Sequence, residues 1–143
     1  MEELILKLKK YPYLSVYTRK VNSECFLTTI IINESFALKA NKYSFKIETR
    51  GKSLEESVSG AYNELITTLN YLIKLSDSCQ YRINYGVNNN GEMTYDVAFQ
   101  LSYLEDVSIY YAEHSLKGKI EENVELVKLN LILKLNSIKE SIL

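Results

Sequence analysis

Hydrophobic and polar residues alternate along several stretches of the chain, and period-two alternation is typical of strands with one solvent-facing side. The clearest example is 42–50, where Tyr43, Phe45 and Ile47 alternate with polar residues. An Asn90-Gly91 dipeptide between two such stretches predicts a hairpin turn, because positive φ is needed there. The alternating or β-rich stretches are 13–20, 24–33, 42–50, 79–87, 95–103 and 107–112.

Two further stretches predict helices that end or begin at clear signals. A short N-terminal helix ends before Pro12, because the residue preceding a proline is disfavoured in helical geometry. Ser53 and Glu56 have the spacing of a capping box, in which Ser53 accepts from the Glu56 amide and the Glu56 carboxylate reaches the Ser53 amide. The apolar stripe of this central helix continues to about Leu75. Gly60 within the stripe suggests close packing against the sheet.

The last predicted helix has an unusually wide apolar surface. Ser115 is its predicted cap, and a helix from Leu116 to the end of the chain would be about 40 Å long. Leu126, Leu129 and Leu133 widen the apolar stripe beyond what one sheet face usually covers. These leucines are therefore candidate interface residues, most simply of a two-fold homodimer. A fully buried core helix is the alternative.

Together the elements predict an α+β fold in one domain, residues 1–143. In this two-layer arrangement, an N-terminal helix, a central amphipathic helix and a long C-terminal helix pack on a mostly antiparallel sheet of five or six strands. Glu105 and Asp106 interrupt the last strands, which favours a turn there over a bulge. No internal repeat is evident from the sequence.

Composition and cysteine content favour a cytoplasmic protein without a membrane partner. Of the 143 residues, 46% are hydrophobic and 24% charged, the balance of a globular protein. No apolar run approaches the ~20 residues of a membrane span, and the acidic start at Met1-Glu2-Glu3 is unlike a secretory signal. Cys25 and Cys79 are expected to be reduced and buried, with a disulfide between them as the alternative.

Charge is distributed unevenly along the chain. Residues 1–52 contain twice as many basic as acidic residues, and the remainder contains nearly twice as many acidic as basic. The two parts could complement each other in the fold, or the first could provide a basic binding face. The residues of such a face would be Lys42, Lys46, Arg50 and Lys52.

The predicted element order over 1–76 is similar to that of double-stranded-RNA-binding domains, which implies phosphate contacts. Those domains carry lysines at the start of their second helix. This chain has Glu55 and Glu56 there, which would repel phosphate. Nucleic acid is therefore a less favoured partner than protein.

Tyrosine could also contribute to binding, because it combines a large apolar area with a polar tip. Tyr110 and Tyr111 are neighbours in a predicted strand and so point to opposite sides. One of them is expected to be exposed and available to a partner. Half-buried positions in a sheet explain the high tyrosine content equally well.

Catalytic motifs are absent from the sequence. His114 is adjacent to Ser115, which does not form a dyad, and no acid that would pair with His114 is identifiable. Glu121, Glu122 and Glu125 suit the dipole at a helix start. No phosphate loop or C-x-x-C is present. The sequence therefore predicts a protein with no catalytic residues, cofactor or metal.

These observations favour a small non-enzymatic protein that acts through contacts with a protein whose identity the sequence does not give. A composition rich in Lys, Asn, Ile, Ser and Tyr is common in low-GC genomes. It suggests a phage or mobile-element accessory protein, such as an inhibitor in an anti-defence role. A nucleic-acid-binding module and a small-nucleotide sponge are the alternatives.

Overall fold

The computed structural model describes residues 1–32, 38–40, 45–104 and 107–143. Within these residues the chain forms three helices and seven strands. In chain order they are α1 (Glu2–Leu8), β1 (Leu14–Asn22), β2 (Cys25–Ile32), β3 (Leu38–Ala40), β4 (Phe45–Gly51), α2 (Leu54–Leu75), β5 (Gln80–Val87), β6 (Met93–Leu104), β7 (Val107–Leu116) and α3 (Ile120–Ile142). The predicted Glu105-Asp106 turn and Lys42 lie outside the described residues.

The strands form two antiparallel sheets rather than one. Sheet A has the order β1-β2-β4, and sheet B has the order β3-β7-β6-β5. The α+β class and the packing of helices on sheets are confirmed, but the prediction of a single sheet is wrong. Among the described strands, β1, β2 and β4 pair only with one another, and β3 pairs with β7, far along the chain. Sequence alternation identifies strands but carries no information about such a long-range partner.

The β4 stretch has the predicted alternation over its described residues. Phe45 and Ile47 are buried, whereas Lys46 and Glu48 are exposed. The hairpin between β5 and β6 also forms at the predicted place, with Gly91 at a φ of 76°.

The β4–α2 junction confirms the first half of the capping box. Ser53 Oγ accepts from the Glu56 amide at 3.1 Å. The Glu56 carboxylate, however, accepts from the amide of Lys52 at 3.1 Å and not from that of Ser53. Ser53 has the extended backbone that is usual for an N-cap residue.

Two glycines allow α2 to lie close to sheet A. A Cβ on Gly60 would lie 2.5 Å from Thr49 Cγ2, which confirms the close packing predicted for this glycine. A Cβ on Gly51 would lie 2.5 Å from the Ser57 backbone nitrogen. Ser57 Oγ is in turn 2.8 Å from Thr28 Oγ1 of β2, so the start of α2 is held directly on the sheet.

The β7–α3 junction differs from the prediction. Ser115 is in β7 at a φ of 57° and donates its amide to Asp96 Oδ1 at 3.0 Å, so it is not the helix cap. Helix α3 begins four residues later than predicted, at Ile120, with Lys119 at the N-cap and no side-chain cap. Its 23 residues span about 35 Å. The left-handed backbone at Ser115 and Gly118 redirects the chain before the helix starts.

The two parts of the chain repeat one element order. Strands β1, β2 and β4 followed by α2 correspond to β5, β6 and β7 followed by α3. Placing Ser53 over Lys119 aligns the helices without gaps. Each of the six buried apolar residues of α3 then aligns with a buried residue of α2 or with Ser76, the buried C-cap of α2. The pairs are Val58/Val124, Ala61/Val127, Leu65/Leu131, Leu69/Leu135, Leu72/Ile138 and Ser76/Ile142.

One hydrophobic cluster joins both sheets and all three helices. Tyr62 of α2 donates to the Ile142 carbonyl oxygen at 2.9 Å, which ties the two long helices together. Tyr95 of β6 donates to the Gly118 carbonyl oxygen at 3.0 Å and so holds the turn that leads into α3. Cys25 and Cys79 form no disulfide, but they are half-buried and not fully buried as expected. None of the helices in the described part is long and apolar enough to cross a membrane.

Candidate functional site

The three leucines predicted as an interface lie together on the solvent side of α3. Leu126, Leu129 and Leu133 are 52%, 52% and 57% exposed. Their spacing of three and four residues places them in one row, about half a turn from the buried stripe. We call this row the leucine face. The alternative of a fully buried α3 is wrong.

Helix α2 provides an internal comparison for the leucine face. The positions equivalent to Leu126, Leu129 and Leu133 are Gly60, Asn63 and Thr67. Asn63 and Thr67 are exposed and polar, as is usual for the solvent side of a helix. At these three positions the repeated element therefore lacks large apolar side chains in α2 and has leucines in α3.

Position 126 has different surroundings in the two helices. Gly60 lies against sheet A, where a Cβ would be 2.5 Å from Thr49 Cγ2, whereas Leu126 is exposed. In addition to its apolar contacts, α3 contacts sheet B through Asn130, whose Nδ2 donates to Glu113 Oε2 of β7 at 2.9 Å.

The predicted basic face is partly neutralised. Lys46 Nζ lies 3.0 Å from Glu48 Oε1 on the same side of β4. Arg50 is directed at Cys25, with its NH1 atom 3.7 Å from Sγ. Lys52 follows the strand and uses its amide for Glu56. Among the described residues of this face, a carboxylate therefore lies between the two cations, which weakens its attraction for phosphate.

Tyr110 and Tyr111 point to opposite sides of sheet B, as predicted. Tyr111 is buried, and its hydroxyl donates to Glu113 Oε2 at 3.2 Å. Burial, together with the neighbouring Glu113 carboxylate, raises the pKa of Tyr111 to about 12. Tyr111 is thus bonded to Glu113 of its own strand, which also accepts from Asn130 of α3. Tyr110 is the one that faces outward.

Tyr110 lines a hollow on the outer face of sheet B, which we call the outer trough. Its volume is about 520 Å³, within the range of small-molecule sites. Ala98 of β6 and Ala112 of β7 are paired across the strands, and Arg82 of β5 is paired with Ala98, so small side chains form the floor. The lining residues are Arg82, Asn84, Asp96, Ala98, Tyr110, Ala112 and His114.

His114 has an acidic partner that sequence reasoning missed. Its Nδ1 lies 3.3 Å from Asp96 Oδ2, and the other oxygen of Asp96 accepts from the Ser115 amide. The Ser115 amide, and to a lesser degree His114, holds the pKa of Asp96 below its usual range. The available sequence signal for this partner was Asp96, an acidic residue among the mostly apolar residues of β6. A register shift between Tyr95 and Val97 made its partner on β7 unpredictable.

Within the part of the chain that the structure describes, no group of three or more His, Cys, Asp or Glu side chains is placed to hold a metal ion. Comparison with known proteins gives no further guide to the site. No protein-family model matches the chain, and no match was found among curated proteins or solved structures.

Proposed function

We propose that this chain is a non-enzymatic binding protein that assembles as a two-fold dimer through the leucine face of α3. The observation that carries the proposal is the contrast between two equivalent helices. Where α2 presents Asn63 and Thr67 to solvent, α3 presents Leu129 and Leu133. A row of exposed leucines is unfavourable on a free surface and is typical of a contact that excludes water.

A second copy of the chain fits the leucine face because the row is short and nearly symmetric. Leu129 lies near its centre, and Leu126 and Leu133 flank it on either side. Two copies of α3 packed antiparallel around a point near Asn130 would bring each flanking leucine next to the partner's opposite one. Isologous packing of this kind is the commonest way in which soluble proteins form dimers.

The expected affinity is modest. Burying the exposed half of six leucine side chains stabilises the dimer by about 1 kcal/mol each, before the cost of association is subtracted. The dimer should therefore dissociate on dilution. A concentration series is needed to detect it, and a single dilute measurement is not enough.

Sedimentation equilibrium over a concentration series tests the proposal. Wild-type protein should approach the dimer mass at high concentration, and Leu129→Glu should stay monomeric. The control is Asn63→Glu, which puts the same charge at the equivalent exposed position of α2 and should dimerise like wild type. A wild-type monomer throughout, or equal behaviour of the two variants, would refute the proposed interface.

Nucleic-acid binding has weaker support, because Lys46 is paired with Glu48 and acidic residues begin α2. A salt titration with duplex and single-stranded probes distinguishes it from protein binding. Any binding should be weak, and Lys42→Ala/Lys46→Ala/Arg50→Ala should reduce the slope of its salt dependence by about one unit for each phosphate interaction that is removed. Tight binding that this triple variant leaves unchanged would place a nucleic-acid site elsewhere.

The narrower interpretation, an inhibitor encoded by a phage or mobile element and acting on a host defence protein, stays a prediction. Its support is compositional. Cytoplasmic location also stays a prediction, supported by composition and cysteine content.

A further inference from the structure

We propose that the outer trough binds a small anion that carries a planar ring, and that its size and chemistry suit a nucleoside monophosphate. This site is separate from the leucine face and does not depend on the dimer. It is formed within one copy of the chain, by the outward side chains of β5, β6 and β7.

The floor of the trough has room for a flat ring. Ala98 and Ala112 form a row of small side chains across the sheet, and Arg82 ends this row at β5. This row lies between two others. One contains Gln100 and Tyr110, and the other contains Asp96 and His114. Rows two residues apart along a strand are separated by about 7 Å, so the outer rows stand about 13 Å apart. A smaller hollow of about 300 Å³ adjoins the first and shares Arg82, Ala98 and Tyr110.

The polar groups of the trough are divided between its ends. Among the described residues, no carboxylate forms an ion pair with Arg82. Asp96 is the only acid that lines the trough, and it contacts Ser115 and His114. A guanidinium can bind a phosphate through two parallel hydrogen bonds. Arg82 is therefore the group that would hold the anionic part of a ligand.

The Asp96–His114 pair and Asn84 suit the edge of a heterocyclic ring. Asp96 engages Nδ1 of His114, which leaves Nε2 as the nitrogen that a ligand can reach. The Asn84 carboxamide adds a donor and an acceptor in the same part of the trough. The half-buried ring of Tyr110 offers a surface for stacking. A ring with polar edges and one phosphate satisfies all of these groups at once.

Sheet A lacks a comparable small-residue floor over its described strands, although they have the same order. The residues at the centre of its outer face are Leu27 and Thr29, which are larger than alanine and are buried by their neighbours. Arg19 and Arg50 lie on either side of Leu27 in the register. Sheet A therefore provides a control surface that has arginines but no row of alanines.

The test is a titration followed by NMR chemical shifts and by calorimetry at low salt. The probes are the four nucleoside 5′-monophosphates, the corresponding nucleosides, and ribose 5-phosphate. We expect the nucleotides to bind and to shift the His114 and Tyr110 signals, and we expect ribose 5-phosphate and the nucleosides to bind at least about tenfold more weakly, since each lacks one anchoring group.

Two variants locate the site. Arg82→Gln should weaken nucleotide binding by about tenfold or more, and Ala98→Leu should abolish it by filling the floor. The control Arg19→Gln removes an exposed arginine from sheet A and should bind like wild type. Arg82 is exposed, so its variant should fold even if Ala98→Leu does not.

Three results would overturn the inference. The first is no binding of any nucleotide at millimolar concentration. The second is unchanged binding by Arg82→Gln. The third is ribose 5-phosphate binding as tightly as the nucleotides, which would mean that the ring makes no contact. Because Leu129→Glu does not alter the trough, failure here leaves the dimer proposal unaffected.

Discussion

Helices α2 and α3 occupy equivalent places in two β-β-β-α units and differ chiefly on their solvent sides. Both bury the same periodic set of positions, and they share identical residues at several of them, such as Leu65/Leu131 and Leu69/Leu135. At the positions of the leucine face, α2 has Gly60, Asn63 and Thr67 where α3 has leucines. A constant inner face with a divergent outer face indicates that the fold constrains the first and that another demand, in our interpretation dimerisation, shapes the second.

The junctions that lead into these helices also differ. The start of α2 depends on close contact at Gly51 and on the Ser53 cap. The start of α3 depends on the left-handed backbone of Ser115 and Gly118 and has no side-chain cap. The two junctions should therefore respond differently to similar substitutions.

The largest difference is expected at the glycines. Gly51→Ala places a methyl group against the Ser57 backbone and should lower the free energy of unfolding by about 3 kcal/mol. A Cβ on Gly118 would lie 4.0 Å from Asn123 Nδ2, an ordinary contact distance, so Gly118→Ala should cost only the strain of its positive φ, about 1 kcal/mol. Urea denaturation measures both. Equal losses would show that the close contact at Gly51 does not control the start of α2.

Substitutions at the caps should have opposite signs. Ser53→Ala should destabilise by about 1 kcal/mol, and Lys119→Ser should stabilise by a similar amount, because Glu122 already stands at the third helical position. Glu56→Ala should destabilise the protein less in the Ser53→Ala background than in wild type, since both residues act on one junction. Thermal unfolding of each variant measures these changes in stability. A destabilising Lys119→Ser would contradict the expectation that a serine at position 119 caps α3.

A smaller, pH-dependent effect is expected from Tyr111. Its pKa is raised to about 12 in the folded protein, so its contribution to stability is complete below the ordinary tyrosine pKa near 10 and is lost as the pH rises towards 12. As the pH rises over this range, the free energy of unfolding should fall less for Tyr111→Phe than for wild type. The control is Tyr17→Phe, at an exposed tyrosine of sheet A. Identical pH profiles for wild type and Tyr111→Phe would refute this role.

The sequence predicted local structure better than long-range arrangement. Alternation located the strands, and the Ser53–Glu56 spacing located the start of α2, because both patterns depend on neighbours in the chain. The pairing of β3 with β7 and the Asp96–His114 contact depend on register between distant segments, which no local pattern specifies. The cap expected at Ser115 is wrong because serine at a tight bend resembles a helix cap in sequence.

The repeat itself escaped sequence analysis for a related reason. The similarity lies in the buried positions of α2 and α3, and apolar residues at helical spacing occur in any amphipathic helix. The shared acidic pair after the first helical residue, Glu55-Glu56 and Glu121-Glu122, was the specific signal. It became informative only when the two helices were seen to follow equivalent strands.

Disulfide trapping on the outer faces of α2 and α3 tests the dimer most directly. In a Cys25→Ser/Cys79→Ser background, Leu129→Cys would lie near the two-fold axis, where two cysteines can approach within bonding distance. Asn63→Cys is the equivalent exposed position on α2. We predict that mild oxidation yields a covalent dimer through position 129 and essentially none through position 63. No covalent dimer at 129, or equal yields at both positions, would contradict the assembly proposed here.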